Sequence, residues 1–289
     1  MFDHIQAFYQ PNSIREAVRL LRRGGRQARI VAGGTDLVVE GNRSIRFLVD
    51  VTRLGLDYIR QDRKGLVVGA TATMASLVHS PKIRALADGI LATAASTCGS
   101  VQVRNMATVG GNLASASPAA DTATPLLVLD AMVVLAGPRG RSKVLLEKFF
   151  TGPRKTLLNG ALLVEIAIPA LSRGLRTGWS YQKLGRIETD IAVVNVAAGL
   201  CLDRAGRCAW ARIALGAVGP TPMRAHKAEA LLAGQMLTQE SVDRVGDTVM
   251  QQVRPIDDLR ASAEYRREMS RVLVRRALAE CAARAGCSL

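Results

Sequence analysis

The sequence predicts an α+β protein in two parts: a two-lobed α/β part over residues 1–172 and a sheet-and-helix part over 173–289. Three observations predict this class. Short strand-like runs alternate with helix-like runs in the first part. Three strand-like runs follow one another after residue 178, and a hairpin turn joins the second to the third. Long helical patterns then dominate the rest of the chain.

The first lobe, over residues 1–55, begins with a predicted helix at 13–24. Ser13 and Glu16 match a capping box, small and branched apolar residues form one face, and paired glycines end the helix. Short runs of alternating character predict the two strands of this lobe, 28–31 and 47–51.

The second lobe, over residues 56–172, has the same mixed character. Thr73 and Pro81 stand where helices begin, and runs rich in β-branched residues predict strands. The predicted helices are 73–78, 81–97 and 126–129, and the predicted strands are 66–69, 132–136 and 162–168. A glycine- and arginine-rich segment, Ser172–Gly178, predicts the connection to the second part.

The second part, over residues 173–289, combines an antiparallel three-stranded sheet with helices. The predicted strands are 179–184, 192–202 and 209–217, and the predicted helices are 225–233, 239–253 and 262–285. In the last helix, charged residues lie along one side and apolar residues along the other, which predicts packing onto the sheet.

Two glycine-rich stretches carry the functional signal. RNMATVGGNLASASPAAD spans Arg104–Asp121, and AGGTDL spans Ala32–Leu37 directly after a predicted strand. Small residues allow a ligand to approach the backbone, and N–H groups and hydroxyls suit anionic groups. Neither stretch matches the GxGxxG or GxxxxGK[ST] pattern. Together the two stretches could hold both phosphates of one large cofactor.

These stretches, with YQKLGR at 181–186, DIAVVNV at 190–196 and PIDDLRASAEYR at 255–266, resemble the FAD-binding medium subunit of molybdenum-containing hydroxylases. This is the xanthine dehydrogenase and carbon monoxide dehydrogenase flavoprotein family. The motifs occur in the family's order and cover nearly the whole chain. The resemblance implies a two-lobed FAD-binding domain of the PCMH/vanillyl-alcohol-oxidase type, followed by the C-terminal flavoprotein domain.

The resemblance also implies which residues contact FAD. Both glycine stretches would hold the pyrophosphate, and Asp121 would accept hydrogen bonds from cofactor hydroxyls, unless it only caps a helix. Lys183 would stabilise negative charge on the flavin ring, with Gln182 as the alternative one position away and a solvated edge-strand lysine as the plain alternative. The implied FAD-contacting residues are Ala32, Gly33, Gly34, Thr35, Asp36, Leu37, Thr108, Gly110, Gly111, Asn112, Asp121, Leu163 and Lys183.

In this family the flavin subunit works within a larger complex. The resemblance implies a large subunit with a molybdenum cofactor, a small subunit with [2Fe–2S] clusters, and a dimer of heterotrimers. FAD would collect electrons from the clusters and pass them to NAD⁺ or oxygen. The histidine-free first loop favours a purine, N-heteroaromatic or aldehyde substrate, with a carbon monoxide dehydrogenase medium subunit as the alternative.

Composition limits the other function classes. The net charge of +15 suggests a nucleic-acid-binding protein. The basic residues are spread along the chain, however, and aromatic residues make up only 4%, which argues against nucleic-acid binding as the main function. Five irregularly spaced cysteines argue against metal or iron–sulfur sites in this chain. We expect a cytoplasmic protein with no membrane span. A free-standing FAD oxidase and a basic binding module remain the competing classes.

Overall fold

A computed structural model of the chain describes residues 4–171 and 174–289. The predicted boundary between the two parts, at 172 and 173, lies outside the described residues. The first lobe contains a sheet of three parallel strands in the order β1-β3-β2. Its elements are β1 (Ala7–Tyr9), α1 (Ile14–Gly24), β2 (Ala28–Val31), α2 (Thr35–Glu40) and β3 (Phe47–Asp50).

Helix α1 begins and ends where the sequence predicts. The Ser13 hydroxyl accepts the N–H of Glu16 at 3.2 Å, which stabilises the first turn. Ala17, Val18 and Leu21 are buried in one apolar cluster that includes residues of β2 and β3. The apolar stripe of α1 therefore packs against one face of the parallel sheet.

The second lobe is built around an antiparallel sheet, with strands in the order β4-β5-β10-β6-β7 among the described residues. The elements in chain order are β4 (Ile59–Asp62), β5 (Gly65–Gly69), α3 (Met74–His79), α4 (Pro81–Arg84), α5 (Ile90–Ser96), α6 (Val101–Met106), α7 (Val109–Ala114), α8 (Ala123–Val128), β6 (Met132–Gly137), β7 (Gly140–Leu145), α9 (Leu146–Phe149), β8 (Phe150–Gly152), β9 (Lys155–Thr156) and β10 (Leu162–Pro169).

The single helix predicted over 81–97 is wrong, because the chain leaves helical geometry in its middle. Asp88 and Gly89 have φ of 51° and 74°, and they separate α4 from α5. The Asp88 carboxylate accepts the backbone N–H of Trp179 at 3.0 Å. A contact from the second part of the chain therefore helps to hold this break, which falls at an Asp-Gly pair of the kind that marks turns.

The second part forms an antiparallel sheet in the order β11-β12-β13-β14 within the described residues. Its elements are β11 (Arg176–Leu184), β12 (Val194–Leu202), β13 (Cys208–Gly216), β14 (Met223–Arg224), α10 (His226–Ala230), α11 (Gln239–Gln252) and α12 (Ala263–Arg284). The sheet thus has four strands where three were predicted. The extra strand, β14, has two residues, which is too short to produce an alternating pattern.

Both faces of this sheet are buried. Leu200, Ile213 and other residues share an apolar cluster with α11 and α12. On the opposite face, Trp179 and Tyr181 are buried in the core of the second lobe, beside residues of α5 and α8. The two parts therefore share one continuous core, and β11 lies where they meet. None of the described helices has the length and apolar character needed to cross a bilayer.

Candidate functional site

The AGGTDL stretch forms a tight turn between β2 and α2. Gly34 has φ of +70°, a conformation that favours glycine. A side-chain carbon on Gly33 would lie 1.8 Å from the carbonyl oxygen of Met106, so only glycine fits there. Within the described residues, the N–H groups of Gly33, Gly34 and Thr35 donate no hydrogen bond. They are available to an anionic ligand at the start of α2.

The second glycine stretch is mostly helical, with Gly110 and Gly111 inside α7. Gly110 serves close packing, since a side-chain carbon there would lie 2.5 Å from the Ala70 carbonyl oxygen. The Gly110 N–H donates to that same oxygen, and the Gly111 N–H donates to the Thr108 hydroxyl. These two N–H groups are therefore occupied, whereas those of the first stretch are not.

Asn112 connects α7 to the segment that holds Asp121. Its side-chain oxygen accepts hydrogen bonds from the backbone N–H and the hydroxyl of Thr122, at 3.3 and 2.6 Å. Its amide nitrogen has no partner among the described residues, and the side chain is half-buried. The Asn112 amide is thus fixed in position with its donor group free.

Lys183 and Asp121 form a buried ion pair, with Nζ 3.0 Å from Oδ1. Only 7% and 10% of these side chains are exposed. Lys183 Nζ also donates to the Thr97 carbonyl at 2.7 Å, and the Tyr181 hydroxyl donates to Asp121 at 3.2 Å. The pair joins three segments that are distant in sequence, and it includes one residue from each part of the chain.

This geometry excludes one alternative interpretation for each residue. The Lys183 side chain is buried, so the interpretation of Lys183 as a solvated lysine on an edge strand is wrong. The N-cap of α8 is Thr122, with no side-chain cap, so the helix-cap alternative for Asp121 is also wrong. Gln182 donates to Glu280 at 2.8 Å, on the opposite face of β11 from Lys183. Gln182 is therefore engaged away from the ion pair.

Burial shapes the electrostatics of this cluster. It raises the pKa of Asp121, and the Lys183 ammonium and Tyr181 hydroxyl oppose that rise. It raises the pKa of Tyr181 well above its usual value, an effect that the Asp121 charge reinforces. Burial, followed by the same charge, raises the pKa of Cys98 to about 12. The phenol and thiol are therefore neutral at physiological pH.

A cavity of about 290 Å³ opens beside this ion pair. It is lined by Thr97, Lys183, Gly185, Arg186, Ile187 and Glu188. Arg186 is held by Asp190 at 2.9 Å, across the turn that follows β11. The cavity thus has a lysine at its buried end and a restrained arginine on its wall.

Leu163 occupies a different place from the other predicted residues. It lies in β10 opposite Leu135, 4% exposed, with its side chain in the core of the second lobe. The carbonyl of the next residue, Val164, accepts a hydrogen bond from the Ala70 N–H. The Ala70 carbonyl in turn accepts a hydrogen bond from the Gly110 N–H. Leu163 therefore reaches the glycine-rich helix through backbone connections.

Two members of the cluster, Tyr181 and the Thr97 carbonyl, were not among the predicted site residues. Tyr181 could have been found, because strand alternation places it on the same face as Lys183. The Thr97 carbonyl could not, because its contact depends on how α5 meets β11.

Two family models match the chain. The model for the FAD binding domain in molybdopterin dehydrogenase covers residues 2–171, and the model for the CO dehydrogenase flavoprotein C-terminal domain covers residues 179–281. The chain belongs to this flavoprotein family. It is an FAD-binding oxidoreductase subunit of the molybdenum hydroxylase type, as its motifs predicted.

Known members of the flavoprotein family align over almost the full chain. The carbon monoxide dehydrogenase medium chain of Hydrogenophaga pseudoflava is 35% identical, over 94% of this chain and 95% of its own. A putative xanthine dehydrogenase FAD-binding subunit of Escherichia coli K12 is 31% identical, over 99% of each chain.

Solved structures of the family agree with the fold. A structure of carbon monoxide dehydrogenase from Hydrogenophaga pseudoflava matches with a TM-score of 0.92 and 36% identity, over 97% of this chain and 98% of the other. Quinoline 2-oxidoreductase from Pseudomonas putida 86 matches with a TM-score of 0.88 and 29% identity, over 96% and 97%. These matches confirm the predicted fold class.

The residues present are compatible with FAD, which carries two phosphates, several hydroxyls and a flat ring. The free N–H groups of Gly33, Gly34 and Thr35 suit a phosphate. The buried Asp121 carboxylate can accept hydrogen bonds from hydroxyls. Lys183 supplies a fixed positive charge.

Proposed function

We propose that this chain is the flavin subunit of a heterotrimeric molybdenum hydroxylase. It would take electrons from [2Fe–2S] clusters of a small partner subunit and pass them to NAD⁺ or oxygen. The observation that carries this proposal is the packing of Gly33 on the Met106 carbonyl, which joins the two glycine stretches. Two segments about 70 residues apart in sequence, each suited to bind part of one cofactor, are thereby held side by side.

We assign FAD contacts to three groups of residues. The first group, Ala32–Leu37, offers N–H groups to the pyrophosphate. The second, Thr108, Gly110, Gly111 and Asn112, forms the opposite wall, and Asn112 offers its free amide. The third group consists of Asp121 for cofactor hydroxyls, Lys183 for the ring and Leu163 for packing from β10.

When bound, FAD supplies the exchange between single-electron and two-electron transfer. The protein's own contribution is electrostatic. Asp121 and the Thr97 carbonyl hold the Lys183 ammonium in one position, so its charge stabilises negative charge arriving at the site without reorganisation. The neutral Tyr181 hydroxyl orients the Asp121 carboxylate in turn.

For the whole complex we propose oxidation of a purine, N-heteroaromatic or aldehyde substrate on the large subunit. Relatives named for xanthine, nicotinate and glyceraldehyde dehydrogenases support this range. A carbon monoxide dehydrogenase medium subunit is the alternative, and the relative at 35% identity favours it. We further propose a cytoplasmic dimer of heterotrimers.

The test is to purify the tagged chain from its native host, with its natural partners, and measure its cofactors. We expect FAD, iron and molybdenum to copurify in fixed ratio, and one substrate class to reduce the flavin. Flavin with no iron or molybdenum, and oxygen consumption by this chain alone, would indicate a free-standing oxidase. A colourless chain that rejects added FAD and binds DNA in a salt-sensitive manner would indicate a basic binding module.

A further inference from the structure

The parallel sheet of the first lobe is covered on one face. Helix α1 packs against the face that carries Ala28 and Val49. Phe8, Leu48 and Arg29 stand in register on the opposite face, one from each strand, and we call these three residues the open face. Parallel sheets in proteins are almost always buried on both faces. An open face on such a sheet therefore calls for a covering element.

The described residues supply no such element. Phe8 is 56% exposed, Leu48 is half-buried, and neither belongs to an apolar cluster in the described part of the chain. Helix α2 connects β2 to β3, but it buries none of its own residues. The open face thus combines an exposed aromatic ring with a neighbouring leucine on a rigid sheet, the composition of an interface centre.

The surrounding charge indicates what would cover it. Arg29 on the open face is exposed and has no ion pair among the described residues. Arg26 and Arg43, just before β2 and β3, are likewise exposed and unpaired there. Asp50 lies two residues after Leu48 in β3, on the same face of the sheet. It is buried and accepts hydrogen bonds from Gln10 and Thr52. Among the described residues, three exposed arginines of the first lobe therefore lack an acidic partner, and one of them lies on the open face itself.

We propose that the open face is a docking surface for an acidic-rimmed, apolar-centred face of a partner subunit of the complex. Carboxylates on that subunit would meet Arg26, Arg29 and Arg43, and its apolar residues would cover Phe8 and Leu48. This inference rests on the proposed function only for the existence of partner subunits. The open face lies on a different sheet from Lys183 and contains none of the residues assigned to FAD.

The test uses the double variant Phe8→Ser/Arg29→Glu, expressed with a tag in the native host. We expect wild-type FAD content per chain and an unchanged melting temperature. Iron and molybdenum recovered per FAD should fall at least about tenfold. The matched control is Met236→Ser/Arg139→Glu, which changes an exposed methionine and an exposed, unpaired arginine elsewhere in the described chain. It should retain wild-type ratios.

The single variant Arg29→Glu is a second test of assembly, because an exposed, unpaired side chain is not needed for folding. It should weaken assembly, and added salt should also weaken assembly of the wild type. Wild-type iron and molybdenum ratios in the double variant would overturn the inference. So would a change confined to self-association, since a second copy would then be the occupant. A wild-type chain with neither metal would instead contradict the proposed function.

Discussion

Gly33 is the residue with the least room in the candidate site, because the Met106 carbonyl occupies the position of its missing side chain. We predict that Gly33→Ala separates the two glycine stretches, destabilises the fold by about 1–3 kcal/mol and releases FAD. FAD content per chain and thermal unfolding measure both effects.

The control is Gly41→Ala, at the end of α2, where φ is +55° and nothing lies within 4 Å of the added carbon. It carries the backbone strain of a left-handed residue, about 1–2 kcal/mol, without the collision. It should keep FAD. Full FAD occupancy in Gly33→Ala would contradict the assigned pyrophosphate site.

Lys183 compensates a carboxylate that has almost no access to water. We predict that Lys183→Met costs about 3–5 kcal/mol, because Asp121 is left buried without its ion partner. Adding Asp121→Asn should recover part of the loss. Urea unfolding of the single and double variants measures the difference.

The pH dependence of the Lys183→Met defect follows from the direction of the pKa shift. Burial raises the pKa of Asp121 in the fold, and loss of the ammonium raises it further. The folded variant then binds a proton more readily than the unfolded chain, so its stability falls as pH rises through the folded pKa. The deficit should shrink in acid. A deficit independent of pH would show that lost packing, rather than charge, is the cause.

At the residue scale, the glycine-containing turn after β2 could be predicted from the sequence, because its motif is local. The AGGTDL turn requires its glycines for a left-handed angle and a close approach, and both needs fall within a few residues. Gly110 and Gly111 were predicted to offer N–H groups to a ligand. Their backbone is helical, however, and their N–H groups already donate hydrogen bonds within the protein. The signature was visible in the sequence, but its physical cause lay in packing against Ala70.

At the scale of elements, α12 depends on its first turn. The Ser262 hydroxyl accepts the N–H of Tyr265 at 3.2 Å, at the start of the longest described helix. We predict that Ser262→Ala destabilises the chain by about 1 kcal/mol in chemical unfolding. Ser142→Ala, on the exposed strand β7, should stay within about 0.5 kcal/mol of wild type. Equal effects would mean that α12 needs no cap.

Elements with strong periodicity were predicted closely, and those shaped by distant contacts were not. Helix α1 was predicted at 13–24 and is observed at Ile14–Gly24. The strand β14 was missed because its partner lies elsewhere in the fold, and the break at Asp88 was missed although its Asp-Gly pair is a local turn signal. Periodicity reports burial along one segment, and it carries no information about which segment supplies the contact.

At the scale of the whole molecule, Asp130 connects the two parts. Its carboxylate oxygens form ion pairs with guanidinium nitrogens of Arg212 at 2.7 Å and Arg224 at 2.9 Å. Both arginines belong to the second part. We predict that Asp130→Asn costs about 1–2 kcal/mol, a modest value because its side chain is 41% exposed. Exposed Asp57→Asn is the control. Equal unfolding midpoints for the two variants would contradict a role for Asp130 in joining the parts.

The order of the parts could be predicted from the sequence, because the family motifs occur in sequence along the chain. The shared core could not. Trp179 and Tyr181 give a strand pattern whichever face they bury, and only the assembled fold puts them against α5 and α8. The boundary near residue 172 remains a prediction.

The tryptophans of this chain are both placed at that shared core. The sequence contains two, Trp179 and Trp210, with ring centroids 5.4 Å apart, and the first donates its backbone N–H to Asp88 across the junction. Tryptophan fluorescence therefore reports on this one location. Tryptophan emission and visible flavin absorption thus follow two different places, the contact between the two parts and the candidate FAD site.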